Sequence, residues 1–277
     1  MKRRNAIHQA IYVILLSLGG LATIFPFIYM ISTSLKGPVY VFELPPRLIP
    51  SNPTLQNFVS AWTSNNFGRY FLNSLGVTVV TTLLVVWLGS MMAFALARFE
   101  FALKKPLYYL VMFFMMMPAM SLIVPQFILA ARLKQVDTLS GLVLLYVAQN
   151  IPLATFLLRG FLEQVPREIE EAALIDGASA WDVYWRILLP LSKPALATAA
   201  IFASLGAWDE YVWAFTIINT PEKRTLPVGI AAFHGVHLSD WGLVFAASLI
   251  AVVPVMVLFI ALQKYFIKGM TAGALKG

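Results

Sequence analysis

The chain has 277 residues, of which 60% are hydrophobic and only 12% are Asp, Glu, Lys or Arg, and its mean hydropathy is +0.78. So few charges cannot cover a water-soluble globule of this size, which excludes a soluble enzyme or binding module and places the chain in a bilayer. The net charge of +7 reads as a topology signal with attraction to anionic lipid rather than a nucleic-acid footprint. Because cysteine is absent, disulfides, thiol catalysis and Cys-ligated metal centres are excluded.

Crossing roughly 30 Å of hydrocarbon takes on the order of 20 residues of helix. Apolar runs of that order fall at Ile11–Leu35, Phe71–Ala97, Leu107–Ala131, Leu139–Leu158, Pro194–Ile218 and Leu243–Gln263, so six spans are expected. The first run is too long for a signal-peptide core and continues through Pro26 to Leu35, so it is expected to be retained. With the amino terminus inside, 13 Lys and Arg residues lie on the cytoplasmic side and 7 outside, the bias of the positive-inside rule. Both termini are then cytoplasmic.

The first outer loop, Lys36–Tyr70, carries Pro38, Pro45, Pro46, Pro50 and Pro53 and is expected to be extended or turn-rich rather than helical. Pro118 and Pro125 in the third span and Pro254 in the sixth should kink their helices, which membranes tolerate beside a cavity or a neighbouring helix. Met115, Met116, Met117 and Met120 surround the first kink. They suit a soft pathway lining or flexible packing between helices, and the pattern leaves both open.

Between the fourth and fifth spans lies a charged island, read as two short helices. Pro166 suits a helix start, and Glu168, Glu170 and Glu171 fall at the positive end of its dipole. Ile169, Ala172 and Ala173 form its apolar stripe. Gly177 is a natural left-handed stop, and Ser179 with Asp182 makes a capping arrangement for the second helix. That helix sets Trp181, Tyr184, Trp185 and Leu188 on one face. Spacing alone leaves two readings: a knob that docks on another protein, or aromatics at the bilayer interface.

Asp209 and Glu210 follow Trp208 inside the expected fifth span, where a charge costs about 2.5–3.5 kcal/mol. They are candidates for a pathway or a gate, with Trp208 and Tyr211 beside them. No Lys or Arg lies deep in an expected span, which disfavours an anionic ligand. His8, His234 and His237 do not form a metal-binding set. No G-x-x-x-x-G-K-[ST] loop occurs, so energy from ATP has to come from another polypeptide.

Glu171-Ala172-Ala173, three residues, Gly177, nine residues, Ile187, one residue, and Leu189-Pro190 resemble the cytoplasmic EAA loop in the membrane subunits of bacterial ABC importers. Val124-Pro125-Gln126-Phe127, Asp137-Thr138, Gly141-Leu142, Pro166-Arg167-Glu168, Trp208-Asp209-Glu210-Tyr211 and the tail Gly269–Gly277 are similar to the carbohydrate-uptake branch, on the side of the six-span subunit of the maltose-type permease pair. The family often has Asn at the position of Asp209, so a role does not transfer there directly.

The resemblance implies an all-α integral membrane protein of six transmembrane helices with a cytoplasmic EAA coupling-helix loop. It implies one permease domain over 1–277, with a core of about 65–265, a coupling loop of about 159–193 and a tail of 266–277. Glu171, Ala172, Ala173, Asp176 and Gly177 would meet an ATPase subunit, with Trp181 and Trp185 as packing neighbours and Gly273, Lys276 and Gly277 as a second contact. The implied partners are a second permease subunit, two ATPase subunits, an extracytoplasmic solute-binding protein, a sugar substrate and membrane lipid, with no nucleic acid. The outer loop Asn219–Trp241 would reach toward the binding protein or serve as a connector. No cofactor is expected on this chain and no covalent chemistry, ATP and Mg being held by the partner ATPases in the bacterial inner membrane. A proton-coupled carrier using Asp209 and Glu210, or an importer of glycerol phosphate, are the alternative expectations.

Overall fold

Long apolar runs become long helices, and the interest lies in where they stop. The computed structural model describes residues 2–39, 45, 47–64, 66–233 and 239–274, with side chains left aside at 2–11 and 265–274, and among these it holds helices and no strand. The helices are α1 (Lys2–Ser34), α2 (Gln56–Thr63), α3 (Phe67–Arg98), α4 (Lys104–Met116), α5 (Ile123–Arg132) and α6 (Leu139–Leu162). They continue with α7 (Arg167–Ile175), α8 (Ala180–Leu191, with a π turn over Val183–Leu188), α9 (Lys193–Trp208), α10 (Val212–Ile217), α11 (Leu226–Ala231) and α12 (Trp241–Ala274).

Among the described residues four helical stretches are long and apolar enough to cross a membrane: Tyr12–Ser34, Phe67–Arg98, Leu139–Leu162 and Trp241–Lys264. Two bent pairs bring the number to six when each is taken as one span. The third expected span is one of these pairs. Rather than kinking, it breaks by 103° between Lys104–Met116 and Ala119–Arg132. Met117 takes an extended ψ of 128° and Pro118 of 121°, as expected where a proline disfavours helix in the residue before it and offers no N–H of its own.

The fifth expected span is also corrected. It ends at Trp208 rather than Ile218 and is preceded by α8 at an angle of 78°. Asp209 and Glu210 therefore lie in a break between α9 and α10, not within a helix. The first outer loop is corrected in part: its prolines precede the helical turns, but Gln56–Thr63 forms α2. α12 runs through Pro254 as one helix.

The chain divides into two compact units, 1–68 with 229–253, and 69–228 with 254–277. In the first, the Asn57 side chain donates to the carbonyls of Ser34 at 3.0 Å and Lys36 at 2.6 Å, fastening α2 to the end of α1. Asp240 Oδ1 accepts the N–H groups of Val39 at 3.1 Å and Gly242 at 3.0 Å, capping α12 while holding the chain after α1. Phe67 packs on Phe233, ring centroids 5.8 Å apart.

The second unit is built on α3, α6 and α9. Val85, Ala93, Phe94 and Ala97 of α3 meet Ala154, Leu158 and Leu162 of α6 and Ala199 and Ala203 of α9, closed by Val183, Tyr184 and Leu188 of α8. A second cluster around Leu142 and Tyr146 of α6 takes in Trp213, Ala214 and Ile217 of α10. The small residues reflect how spans pack: without a hydrophobic drive between them in lipid, close approach supplies the attraction. At Gly89 the approach to α6 is so close that a Cβ would stand 2.9 Å from that of Ala154.

Candidate functional site

The charged island folds from its own local bonds. α7 starts after Pro166, with Glu168 and Glu170 in its first turn, where negative charge favours the helix dipole. It stops at Gly177, whose φ of +87° suits a residue without a Cβ. Gly177 N–H donates to Leu174 O at 3.1 Å and Ala178 N–H to Ala173 O at 3.0 Å, the two bonds of a Schellman stop. α8 then opens on a capping box: Ser179 Oγ accepts from Asp182 N–H at 3.2 Å, and the Asp182 carboxylate accepts from Ser179 N–H at 3.2 Å.

The knob has two faces. Inward, Ala173 and Ala178 pack against the α3–α6–α9 core. Tyr184 and Leu188 are buried, Tyr184 sharing a 2.7 Å hydrogen bond with Ser90 of α3. Outward lie Glu171, Ala172, Asp176 and Gly177, with Ile175 86% and Trp181 54% exposed. Trp185 and Ile169 are also exposed; Trp181 stacks on Tyr184, centroids 5.4 Å apart, and Trp185 meets both rings edge-on at 5.7 and 5.2 Å. Of the expected contact set on the knob only Ala173 is not exposed; it turns to its own subunit's core, since the next residue on a helix points about 100° away.

Glu170 and Arg98 carry a role that the spacing does not suggest. They form an ion pair with side chains only 12% and 7% exposed, joining α7 to the last turn of α3. The facing atoms make no well-aligned hydrogen bond; Arg98 Nη2 donates instead to Val165 O at 3.0 Å. In the last turn of α6, Arg159 bonds Glu163 at 2.8 Å and lies 3.7 Å over the Tyr108 ring of α4. The available signal was an arginine at the end of an apolar run, with adjacent acids on a later helix.

In the break after α9, Glu210 is engaged by its surroundings. Its carboxylate accepts the N–H groups of Trp213 at 2.8 Å and Ala214 at 3.0 Å and the Tyr146 hydroxyl at 2.6 Å. A side chain that binds the next turn's N–H groups replaces helix continuation with a cap, which is why the span ends there. Asp209 is exposed, Tyr211 stacks on Phe215 at 5.5 Å, and Trp208 lines an apolar cavity of about 200 Å³ with Thr82 and Ser204. Of the tail residues, Gly273 falls in the last turn of α12, while Lys276 and Gly277 lie outside the described residues, as do His234 and His237.

At the end of α3 opposite Arg98, Asp137 organises a clasp. Its Oδ1 accepts the N–H groups of Asn219 at 3.0 Å and Thr220 at 2.9 Å, and Lys223 Nζ lies 3.2 Å from its Oδ2. These bonds, that of the Thr220 hydroxyl first, hold its carboxyl well below the ordinary aspartate range. Arg69 and Asn73 of α3 donate to Glu222 O at 3.1 and 2.9 Å, so the chain following α10 is tied to α3 and to the turn before α6.

A family model described as "Binding-protein-dependent transport system inner membrane component" matches residues 85–272. The chain is 38% identical to a putative ABC transporter permease protein, ORF2, of Caldicellulosiruptor sp., over 96% of each chain. It is 35% identical to the trehalose/maltose transport system permease protein MalG of Thermococcus litoralis, over 99% of each. Its fold superposes on a chain of a bacterial ABC transporter involved in the import of the acidic polysaccharide alginate, with a TM-score of 0.82, 22% identity and coverage of 95% of this chain and 98% of the other.

Proposed function

Because the chain belongs to the binding-protein-dependent transport system inner membrane components, we propose that it is the transmembrane subunit of an ATP-driven saccharide importer, lining half of the pathway and receiving its drive through the α7–Gly177–α8 knob. The observation that carries this reading is the exposed surface of Glu171, Ala172, Ile175, Asp176 and Trp181, backed by the buried Arg98–Glu170 pair. An exposed, internally capped surface gives a partner something to push, and the ion pair carries the push into α3. The partner is an ATPase subunit holding ATP and Mg, present in two copies with a second permease subunit and an external binding protein. Both termini and the knob then face the cytoplasm, and alternating access follows closure of the ATPases.

Saccharide as the substrate class rests on the full-length likeness to the trehalose/maltose permease. The proton-coupled alternative assigns Glu210 to a carrier's chemistry, whereas its carboxylate is occupied as the cap of α10. The deciding experiment is ATP hydrolysis by the natively co-purified complex with its binding protein, challenged with maltose, trehalose, raffinose, diacetylchitobiose and glycerol phosphate. Stimulation by a neutral saccharide is expected. Stimulation by glycerol phosphate alone transfers the assignment to an anion importer, and a complex with no ATPase and no hydrolysis removes the importer reading.

A further inference from the structure

The short helix α2 is held at the level where membrane-crossing stretches end. The Asn57 side chain donates to the carbonyls of Ser34, the last residue of α1, and of Lys36. Asn57 also lies against the start of α12, so close that a Cβ on Gly242 would stand 2.5 Å from its Nδ2. Shortly after Thr63 the chain enters α3 at Phe67, whose ring meets that of Trp62 edge-on with centroids 6.2 Å apart. Tyr12–Ser34, Phe67–Arg98 and Trp241–Lys264 are all long and apolar enough to cross a bilayer. A helix fastened at the end of the first and the starts of the other two lies at the boundary between hydrocarbon and water.

Its sequence is divided to match that boundary. Asn57 and Ala61 are buried against the chain. Leu55, Val59 and Trp62, spaced i, i+4, i+7, turn an apolar stripe outward and are 65%, 54% and 49% exposed. Gln56, Ser60 and Thr63 repeat the spacing one position on, about 100° around the helix, and Gln56 and Thr63 are exposed. One side of α2 therefore meets protein, a second is apolar and uncovered by the chain, and a third is polar. A helix covered by a protein partner has no need of the second and third sides to be so distinct. A helix lying along a bilayer does, since the apolar stripe sinks beneath the headgroups while the polar one stays in water. Trp62 suits that level, where tryptophan is enriched.

We propose that α2 is an interfacial anchor whose Leu55, Val59 and Trp62 insert among the phospholipid acyl chains of the leaflet at the far end of α1 from the amino terminus. The anchor is independent of which substrate the subunit carries. Gln56–Thr63 contains no charged residue, so recognition is of the apolar layer itself and needs no anionic headgroup. Because Asn57 ties α2 to the end of α1, the anchor opposes movement of that end along the membrane normal.

The natural chain has no cysteine, so Val59→Cys and Gln56→Cys each place one thiol on it, one in each exposed stripe. The intact complex, with its binding protein, is set in phosphatidylcholine nanodiscs, the thiol is coupled to a benzophenone, and after irradiation the adducts are read by mass on this chain. At Val59 the expected product carries phospholipid, and at Gln56 the phospholipid adduct is expected to be several-fold lower. Adding phosphatidylglycerol is expected to leave the Val59 yield unchanged. Leu55→Cys, on the same stripe, carries the test if Val59→Cys does not assemble. Cross-linking from the apolar stripe to the second permease subunit or to the binding protein overturns the anchor. So do equal phospholipid adducts at the two stripes, or an adduct that forms only with phosphatidylglycerol. None of these outcomes alters substrate-stimulated ATP hydrolysis, so the importer reading stands or falls separately.

Discussion

Two pairs of adjacent acids sit at the two ends of this protein's central helices and solve the same problem differently. In each pair one carboxylate turns inward and the other outward: Glu170 in and Glu171 out on α7, Glu210 in and Asp209 out after α9. Glu170 is held by a cation on a distant helix, whereas Glu210 is held by neutral donors, two of them from its own following turn. The first arrangement couples two elements through charge. The second shapes one stretch of backbone.

Removing a partner separates the two cases. Arg98→Ala or Glu170→Gln leaves the other group of a buried pair uncompensated, a loss of about 3–5 kcal/mol. The expected outcome is a complex of lowered thermal stability whose ATP hydrolysis is no longer stimulated by substrate. The exchange Arg98→Glu with Glu170→Arg is expected to recover part of the loss, and equal damage in the exchanged protein removes the charge coupling. Gly177→Val forces a Cβ into a left-handed turn at about 1–3 kcal/mol. Co-purification of ATPase should fall while membrane insertion stays normal, and unchanged co-purification argues against the knob as the docking surface.

Glu210→Gln removes one accepting oxygen but no buried cation's partner, so it should cost only about 1–3 kcal/mol. Faster amide exchange at Trp213 and Ala214 is the readout, and a loss as large as that of Glu170→Gln dissolves the distinction between the pairs. Asp209→Ala, at an exposed position, should change stability by no more than about 0.5 kcal/mol. If uptake by that variant is also normal, Asp209 is outside the pathway.

Much of α7 and α8 was legible in the sequence because the features that shape them are local. Pro166, Gly177 and the Ser179–Asp182 spacing act within a turn or two of themselves, and the structure places each where the pattern put it. The apolar runs were legible for the same reason, since length and hydropathy decide a span. Which of Glu170 and Glu171 faces the core was not legible, because it depends on where Arg98 arrives from another helix. The break at Asp209 was hidden because the apolar run resumes in α10, so the two acids read as charges within a span, while the bonds that shape the break come from a glutamate and Tyr146 of α6.

The bonds that close α7 and open α8 all lie within the knob itself. A surface folded before it meets its partner gives up little conformational entropy on contact, and association then costs chiefly the rigid-body term. On the coupling proposed above, closure of the ATPases would spend little free energy on shaping the knob, and the movement would reach α3 as displacement rather than as folding.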